Sequence, residues 1–221
     1  MLRAVFLDFD GVIKESLDIK TAAFAALFAP WGEDAVAKVR AHHVANGGMS
    51  RYRKIPLYLR EYCGEDASDS LVARLLANFA ESVVEQVVAA DFVPGAESFI
   101  SDCLAQGIPA VVVSGTPEEE MRTIIERMGY AARFARAYGS PRDKNELLAL
   151  ALRDFACAPE ETFFVGDSIN DYLPAQALGV PFIARIREGC ADPFPEGTAR
   201  IPDFVGQTAR ILYARSREDV S

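Results

Sequence analysis

Ala4-Val5-Phe6-Leu7-Asp8-Phe9-Asp10-Gly11-Val12 is the stretch that decides the reading of this chain. Four apolar residues make a short strand, and the run stops at two carboxylates separated by one residue. The glycine that follows lets backbone approach a ligand closely. Both aspartates could merely start a turn. A match of this kind arises by accident in roughly one chain of this length in 20, so the stretch needs support from elsewhere.

Gly166-Asp167-Ser168-Ile169-Asn170-Asp171 supplies it, because it too ends a strand-like run, Phe163 to Val165. Two such coincidences together fall to roughly 1 in 400. Asp171 has an alternative role as the capping-box partner of Ser168, whereas Asp167 has none. Further strand-like runs at Ala110 to Val113, Pro181 to Ala184 and, more weakly, Arg133 to Ala137 alternate with helix-period segments. Phe99, Ile100, Cys103 and Leu104 share one helical face, as do Met121, Ile124, Ile125 and Met128. That alternation predicts an α/β fold, a Rossmann-like parallel sheet flanked by helices.

Three helix starts are expected at Thr116-Pro117-Glu118-Glu119, Ser140-Pro141-Arg142-Asp143 and Ser168-Ile169-Asn170-Asp171, each with a hydroxyl three residues before a carboxylate. A strand ending just before such a start exposes backbone N–H groups at the sheet's C-terminal edge, where anions bind. Two clusters of hard oxygen ligands at that edge suit Mg²⁺ together with a substrate phosphate. Ser114, ending its strand, offers a hydroxyl and the neighbouring N–H of Gly115 to a phosphoryl oxygen; a plain turn serine is the alternative. Lys144 falls in the first turn after the Ser140 cap, where a cation opposes the helix dipole, so a nearby negative group explains it better than helix stability does.

From about Glu15 to Asp91 strand-like runs vanish and helical patterns such as Leu71, Leu75, Leu76, Phe79 and Val83 take over. This segment, 15–91, is expected to be a smaller all-helical domain inserted after the first strand, with 1–14 and 92–221 forming the catalytic core. Its two connections lie side by side and can act as a hinge. Gly189 to Gly197 reads as a loop, and the polar end after Tyr213 is expected to be irregular.

Asp8-x-Asp10-Gly11-Val12, Ser114, Lys144 and Gly166-Asp167-x-x-x-Asp171 resemble, in order and position, the four signature elements of the haloacid dehalogenase-like superfamily of phosphotransferases. The helical insertion resembles that superfamily's C1-type cap, as in phosphoglycolate phosphatases and β-phosphoglucomutases. The resemblance implies Asp8 as nucleophile and Asp10 as acid and base. It further implies Mg²⁺ on Asp8, Asp167 and the Asp10 carbonyl, with Ser114 and Lys144 on the phosphoryl oxygens. Asp171 would join the metal ligands or else orient Lys144 or a metal-bound water. Substrate would lie against Gly11, Ser114, Gly115, Lys144 and Arg51. Dehalogenases of the superfamily lack a carboxylate at the Asp10 position, so phosphate esters are favoured over halides. One departure is Asn145 after Lys144, where many cap-bearing relatives have proline.

The expected activity is a Mg²⁺-dependent phosphatase for a small phosphorylated metabolite. Alternatives are a phosphomutase, or a non-catalytic module that binds a phosphorylated ligand. Gly47-Gly48-Met49-Ser50-Arg51 resembles the segment with which β-phosphoglucomutase-like caps hold substrate, and Arg51, Arg53, Lys54 and Arg60 gather beside it. Arg51 is therefore expected to meet an anionic or hydroxyl-rich leaving group, a solvated helix face being the alternative. Lys38 and Lys54, in the insertion, are not rivals for the Lys144 role. His42 and His43 read as ordinary helix residues, and Tyr52, Tyr58 and Tyr62 as packing residues.

Composition bounds the rest. The 221 residues carry 23 basic and 32 acidic side chains, a net charge of −9 that argues against a nucleic-acid partner. No stretch has the length of a membrane helix, and no signal peptide is evident. Cys63, Cys103, Cys157 and Cys190 lack metal or redox spacing. A cytoplasmic monomer or homodimer is expected.

Overall fold

A computed structural model describes residues 1–218. The buried, β-branched and aromatic run Val5–Leu7 forms β1, and five more parallel strands complete a sheet: β2 Ala110–Pro117, β3 Arg136–Ser140, β4 Phe164–Gly166, β5 Phe182–Arg185 and β6 Ala199–Ile201. Their spatial order is β3-β2-β1-β4-β5-β6. β1 therefore lies between β2 and β4 at the point where the winding reverses, and such a switch point leaves a crevice outside the strands' C-terminal ends. The sheet is buried on both faces, one packed on Leu147, Leu148 and Ala151, the other on Phe99, Ile100, Ile124 and Leu212.

Helices α1 Leu17–Phe28, α2 Glu33–Ala45, α3 Arg51–Tyr62 and α4 Asp69–Ala89 follow β1 before the chain returns through α5 Ala96–Ala105 to β2. Phe24, Phe28, Val39, Tyr58, Leu59, Phe79 and Val83 fill the space between these four helices. The two crossings of the chain are stitched together: the Lys14 backbone bridges both Asp10 and Phe92, and the Glu15 N–H donates to the Asp91 carbonyl at 2.9 Å. Beyond β2 come α6 Glu118–Arg127, α7 Lys144–Asp154, α8 Ile169–Leu178 and α9 Ala209–Glu218.

The Ser168 start behaves as read, with Asp171 accepting from the Ser168 N–H at 3.0 Å. The other two helix starts need correcting. β2 continues through Thr116 to Pro117, and α6 begins without a side-chain cap because the Thr116 hydroxyl is bonded to Asp10 and Lys20 instead. Ser140 stays in β3, and α7 begins at Lys144 behind Asp143, whose carboxylate and Glu146 form the better capping box. Lys144 is thus the first residue of its helix.

Other differences are smaller. β3 begins three residues later than Arg133, and β6 is short enough that its pattern is lost beside the Gly189 to Gly197 loop. Leu104 is exposed although it follows Cys103 on α5. The end after Tyr213 is helical as far as Glu218, since Leu212 and Ser216 pack inward; residues 219–221 lie outside the described residues. Among the described residues no helix is long and apolar enough to cross a membrane.

Candidate active site

β1 and β4 deliver Asp8 and Asp167 to the same point above the sheet, because each residue directly follows or closely trails a buried strand and the two strands are neighbours. Carboxylate oxygens of Asp8, Asp167 and Asp171 lie within 4.8 Å of one another. Gly11 makes this convergence possible. Its φ is +76°, and a Cβ there would collide with the Asp167 carboxylate.

Asp8 is nearly inaccessible; its Oδ1 accepts from the Phe9 N–H at 2.8 Å and its Oδ2 faces Lys144 Nζ at 2.9 Å. Burial pushes its pKa up to about 7, with Lys144 pulling down and Asp171 and Asp10 pushing up. Lys144 also pairs with Asp171 Oδ1, and although burial opposes its charge, Asp171 and Asp8 together hold it firmly protonated. The other Asp171 oxygen accepts from the Ser168 N–H and, at 2.6 Å, from its hydroxyl. Both oxygens of Asp171 are therefore committed, which favours the orienting role over metal ligation.

Asp167 differs. Its Oδ1 is buried with no hydrogen-bond partner, and burial followed by Asp171 and Asp8 pushes its pKa well above the carboxylate range. An orphaned carboxylate oxygen beside a second carboxylate is a poor arrangement on its own and a good one for a hard divalent cation. The donor set fits Mg²⁺.

Asp10 is engaged from the helical side. Its Oδ1 accepts from the Ser16 hydroxyl at 2.6 Å, while Oδ2 accepts from Lys20 Nζ and, at 3.2 Å, from Thr116 Oγ1. Burial would raise its pKa, but the Lys20 ammonium and the hydrogen bonds from Lys20, Ser16 and Thr116 together outweigh that and hold the carboxyl below its usual range. Ser114 is buried, and its Oγ accepts from the Thr116 N–H at 3.1 Å.

A cavity of about 440 Å³ lies between sheet and helices, lined by Asp8, Asp10, Ser114, Gly115 and Asp167 below and by Lys20, His43, Arg51 and Lys54 above. Lys144, Asp171 and Gly11 stand immediately behind this wall. Its roof is the Gly47-Gly48-Met49 turn, tied down by Asn170 Nδ2 donating to the Gly47 carbonyl at 2.7 Å. Gly115 lets the roof come close, since a Cβ there would strike the Gly48 carbonyl.

Arg51 lines the cavity but already has an anion: it forms a two-pronged pair with Glu120 of α6, with Nη1 to Oε2 at 2.9 Å, and stacks on Phe79. It is buried, so the solvated-face alternative does not hold. Arg53 and Arg60 do face solvent, and Tyr52 is exposed while Tyr58 packs inside. His43 is not an ordinary helix residue; it is buried on the cavity wall, its Nδ1 2.9 Å from Lys54 Nζ.

Lys20, Thr116, His43, Lys54 and Glu120 belong to the site although no motif in the sequence marks them for it. A signal for two of them exists: Lys20 stands four residues before Phe24 and four after Ser16, and Lys54 four before Tyr58, each on its helix's buried face. A lysine at an apolar position of a helix is rare unless it has a partner.

A family model described as a haloacid dehalogenase-like hydrolase matches residues 2–179. Phosphoglycolate phosphatase 1 of Pseudomonas aeruginosa is 27% identical over 185 residues, 80% of this chain and 67% of that protein. The phosphoglycolate phosphatase of Rhodospirillum rubrum is 27% identical over 194 residues, 83% of this chain and 79% of that one. Among solved structures, a β-phosphoglucomutase from Clostridium difficile superposes with a TM-score of 0.80, 16% identity, and coverage of 99% and 98% of the two chains. At that identity the superposition speaks for the fold alone.

Proposed function

The chain belongs to the haloacid dehalogenase-like hydrolases, and from that premise we propose that it is a Mg²⁺-dependent phosphatase for a small phosphorylated metabolite. The observation that carries the reading is the meeting of Asp8, Asp10, Ser114 and Asp167 on one cavity, with Lys144 bonded to Asp8 from behind. The names of the two relatives at 27% identity favour hydrolysis over isomerisation.

In the proposed reaction the Asp8 carboxylate attacks phosphorus and the bond to the leaving oxygen breaks, giving an aspartyl-phosphate. Asp10, in its minor protonated form, gives a proton to the departing alkoxide, then as the carboxylate takes one from the water that opens the acyl phosphate. Lys144, the Ser114 hydroxyl and the Gly115 N–H hold the phosphoryl oxygens as charge shifts onto them. Asp8, Asp167 and the Asp10 carbonyl would hold Mg²⁺, which supplies the positive charge that lets a carboxylate approach a phosphate dianion. Asp171 fixes Lys144 in place, and Arg51 closes the substrate side of the cavity. The Gly47-Gly48-Met49 roof keeps bulk water from the intermediate and limits the substrate to small molecules. The four free cysteines suit a reducing, cytoplasmic setting.

The test is release of inorganic phosphate from a panel of small phosphomonoesters, with Mg²⁺ or with EDTA, by the wild type and by Asp8→Asn. Metal-dependent release by the wild type alone is expected. Steady isomer formation with little phosphate release would instead make the chain a mutase, and turnover by Asp8→Asn would reject Asp8 as nucleophile.

A further inference from the structure

Each cation on this cavity has a carboxylate partner except one. Lys20 has Asp10, Arg51 has Glu120 and Arg187 has Asp18, and Lys144 just behind the wall has Asp8 and Asp171. Lys54 is 1% exposed, lines the same cavity, and among the described residues meets no carboxylate at ion-pair distance. Its nearest polar neighbour is the neutral-leaning ring of His43, at 2.9 Å, which also packs on Phe24 with ring centroids 4.7 Å apart. The Lys54 ammonium itself sits 5.8 Å over the Phe24 ring.

An enclosed ammonium without a counter-ion is costly, and folds retain one where something supplies the missing charge. Asp10 and Asp167 attract the Lys54 charge, but from beyond ion-pair distance and too weakly to offset its burial; Asp10 is paired with Lys20, Asp8 shares Lys144 with Asp171, and Asp167 faces the proposed metal. Burial, reinforced by the Lys20 charge, pushes Lys54 down to about 7, and burial with the Lys54 charge pushes His43 down to about 3, so near neutral pH the Lys54 charge is only partly kept until an anion joins it. The missing anion is one that comes and goes with the ligand.

We infer that Lys54, presented by His43, is a specificity-determining residue that binds a second anionic group of the substrate, a carboxylate or second phosphate on the leaving group. The inference rests on the phosphatase reading for the identity of the ligand but on Lys54's own surroundings for its charge. Arg51, engaged by Glu120, is not the primary site for that anion. The preferred substrates are then phosphorylated acids or bisphosphates rather than phosphorylated alcohols and neutral sugars.

Two matched pairs of esters test this: 2-phosphoglycolate against its neutral amide, and butane-1,4-diol bisphosphate against the monophosphate. The ratio of kcat/KM, charged over neutral, should exceed about 10 in at least one pair, and which pair does so separates a carboxylate from a phosphate. In Lys54→Met that ratio should fall at least tenfold or to near unity; in Lys54→Arg it should largely survive. A wild-type ratio within twofold in both pairs, or a ratio unchanged in Lys54→Met, overturns the inference, and the wild-type ratio decides even if Lys54→Met does not fold. If the wild type turns over none of these esters, calorimetric binding of 2-phosphoglycolate and its amide replaces the rates. Charge-selective binding would then keep the subsite and discard the phosphatase, while equal affinities would overturn the subsite.

Discussion

Lys144 Nζ bridges the Asp8 and Asp171 carboxylates, 2.9 Å from the former, so the nucleophile and the residue that holds the lysine share one ammonium. Asp171 is in turn anchored by the Ser168 N–H and hydroxyl, which makes the start of α8 the fixed end of the chain of contacts. The strength of this arrangement is geometric: a single cation serves the nucleophile before attack and the phosphoryl oxygens after it.

Lys144→Met should therefore lower kcat by about 10²- to 10³-fold, the usual cost of removing one electrostatic stabiliser. Asp171→Asn keeps the shape but weakens the hold on Lys144, so kcat should fall by about tenfold or more while the Mg²⁺ requirement stays near that of the wild type. Titrating activity against Mg²⁺ checks this: a large rise in the metal concentration needed by Asp171→Asn would instead make Asp171 a direct ligand.

Lys20 fixes the charge on Asp10, and the direction of its effect on pH dependence can be worked out. An adjacent cation lowers a carboxyl pKa, here against the opposing pull of burial. Lys20→Gln removes it, so the Asp10 pKa rises and every limb of the pH–rate profile that reports Asp10 moves to higher pH. Profiles of kcat and kcat/KM for the two proteins measure the shift; limbs that stay in place would remove Asp10 from the rate-determining proton transfers.

The Lys54 charge should be visible in stability as well as in substrate choice. Its pKa falls from 10.5 to about 7 because of burial first and the Lys20 charge second. The folded state thus binds fewer protons than the unfolded chain between pH 7 and 10.5, so the cost of enclosing Lys54 is fully present below pH 7 and relieved as pH rises. Lys54→Met escapes that cost. The variant's Tm minus that of the wild type, measured without ligand, should be largest near pH 6 and shrink by about 3 °C or more towards pH 9. A difference that is flat with pH, or grows with it, contradicts a buried ionisable Lys54.

These cases mark what was legible in the sequence. Asp8, Asp10, Asp167 and Asp171 could be found because a strand end, a glycine and a carboxylate at fixed spacing are local features, and the sheet brings neighbouring strand ends together by topology. Ser114 was visible from the apolar run Ala110 to Val113 before it, although it does not end the strand as expected, because β2 continues past it to Pro117. Lys20, Thr116, His43 and Lys54 were not, because their roles arise where the helices after β1 meet the sheet edge, a contact between residues tens of positions apart. Thr116 even carries the pattern of a helix cap, since a threonine before proline and glutamates satisfies it whether or not the hydroxyl is needed elsewhere. Arg51 shows the converse: its segment was noticed, but the partner that neutralises it, Glu120, lies 69 positions away and carried no mark in the sequence.

The Arg51 and Glu120 pair also links the helical layer to the sheet side of the cavity, together with the bond from Asn170 to Gly47. The close passage of Gly115 under the Gly48 carbonyl is the third contact of this set, and the one with no room to adapt, because both sides are backbone. Gly115→Ala should push the roof away from Ser114 without touching a charged group. Water then reaches the cavity and the substrate loses its closed enclosure, so KM should rise about tenfold or more and kcat should fall with it. Arg51→Ala should weaken closure too, and because both changes open the same contact, their effects on kcat/KM in the double variant should fall short of the product of the single effects. Full multiplicativity in that cycle would mean that Gly115 and Arg51 act on separate steps, and the three contacts would no longer count as one closure.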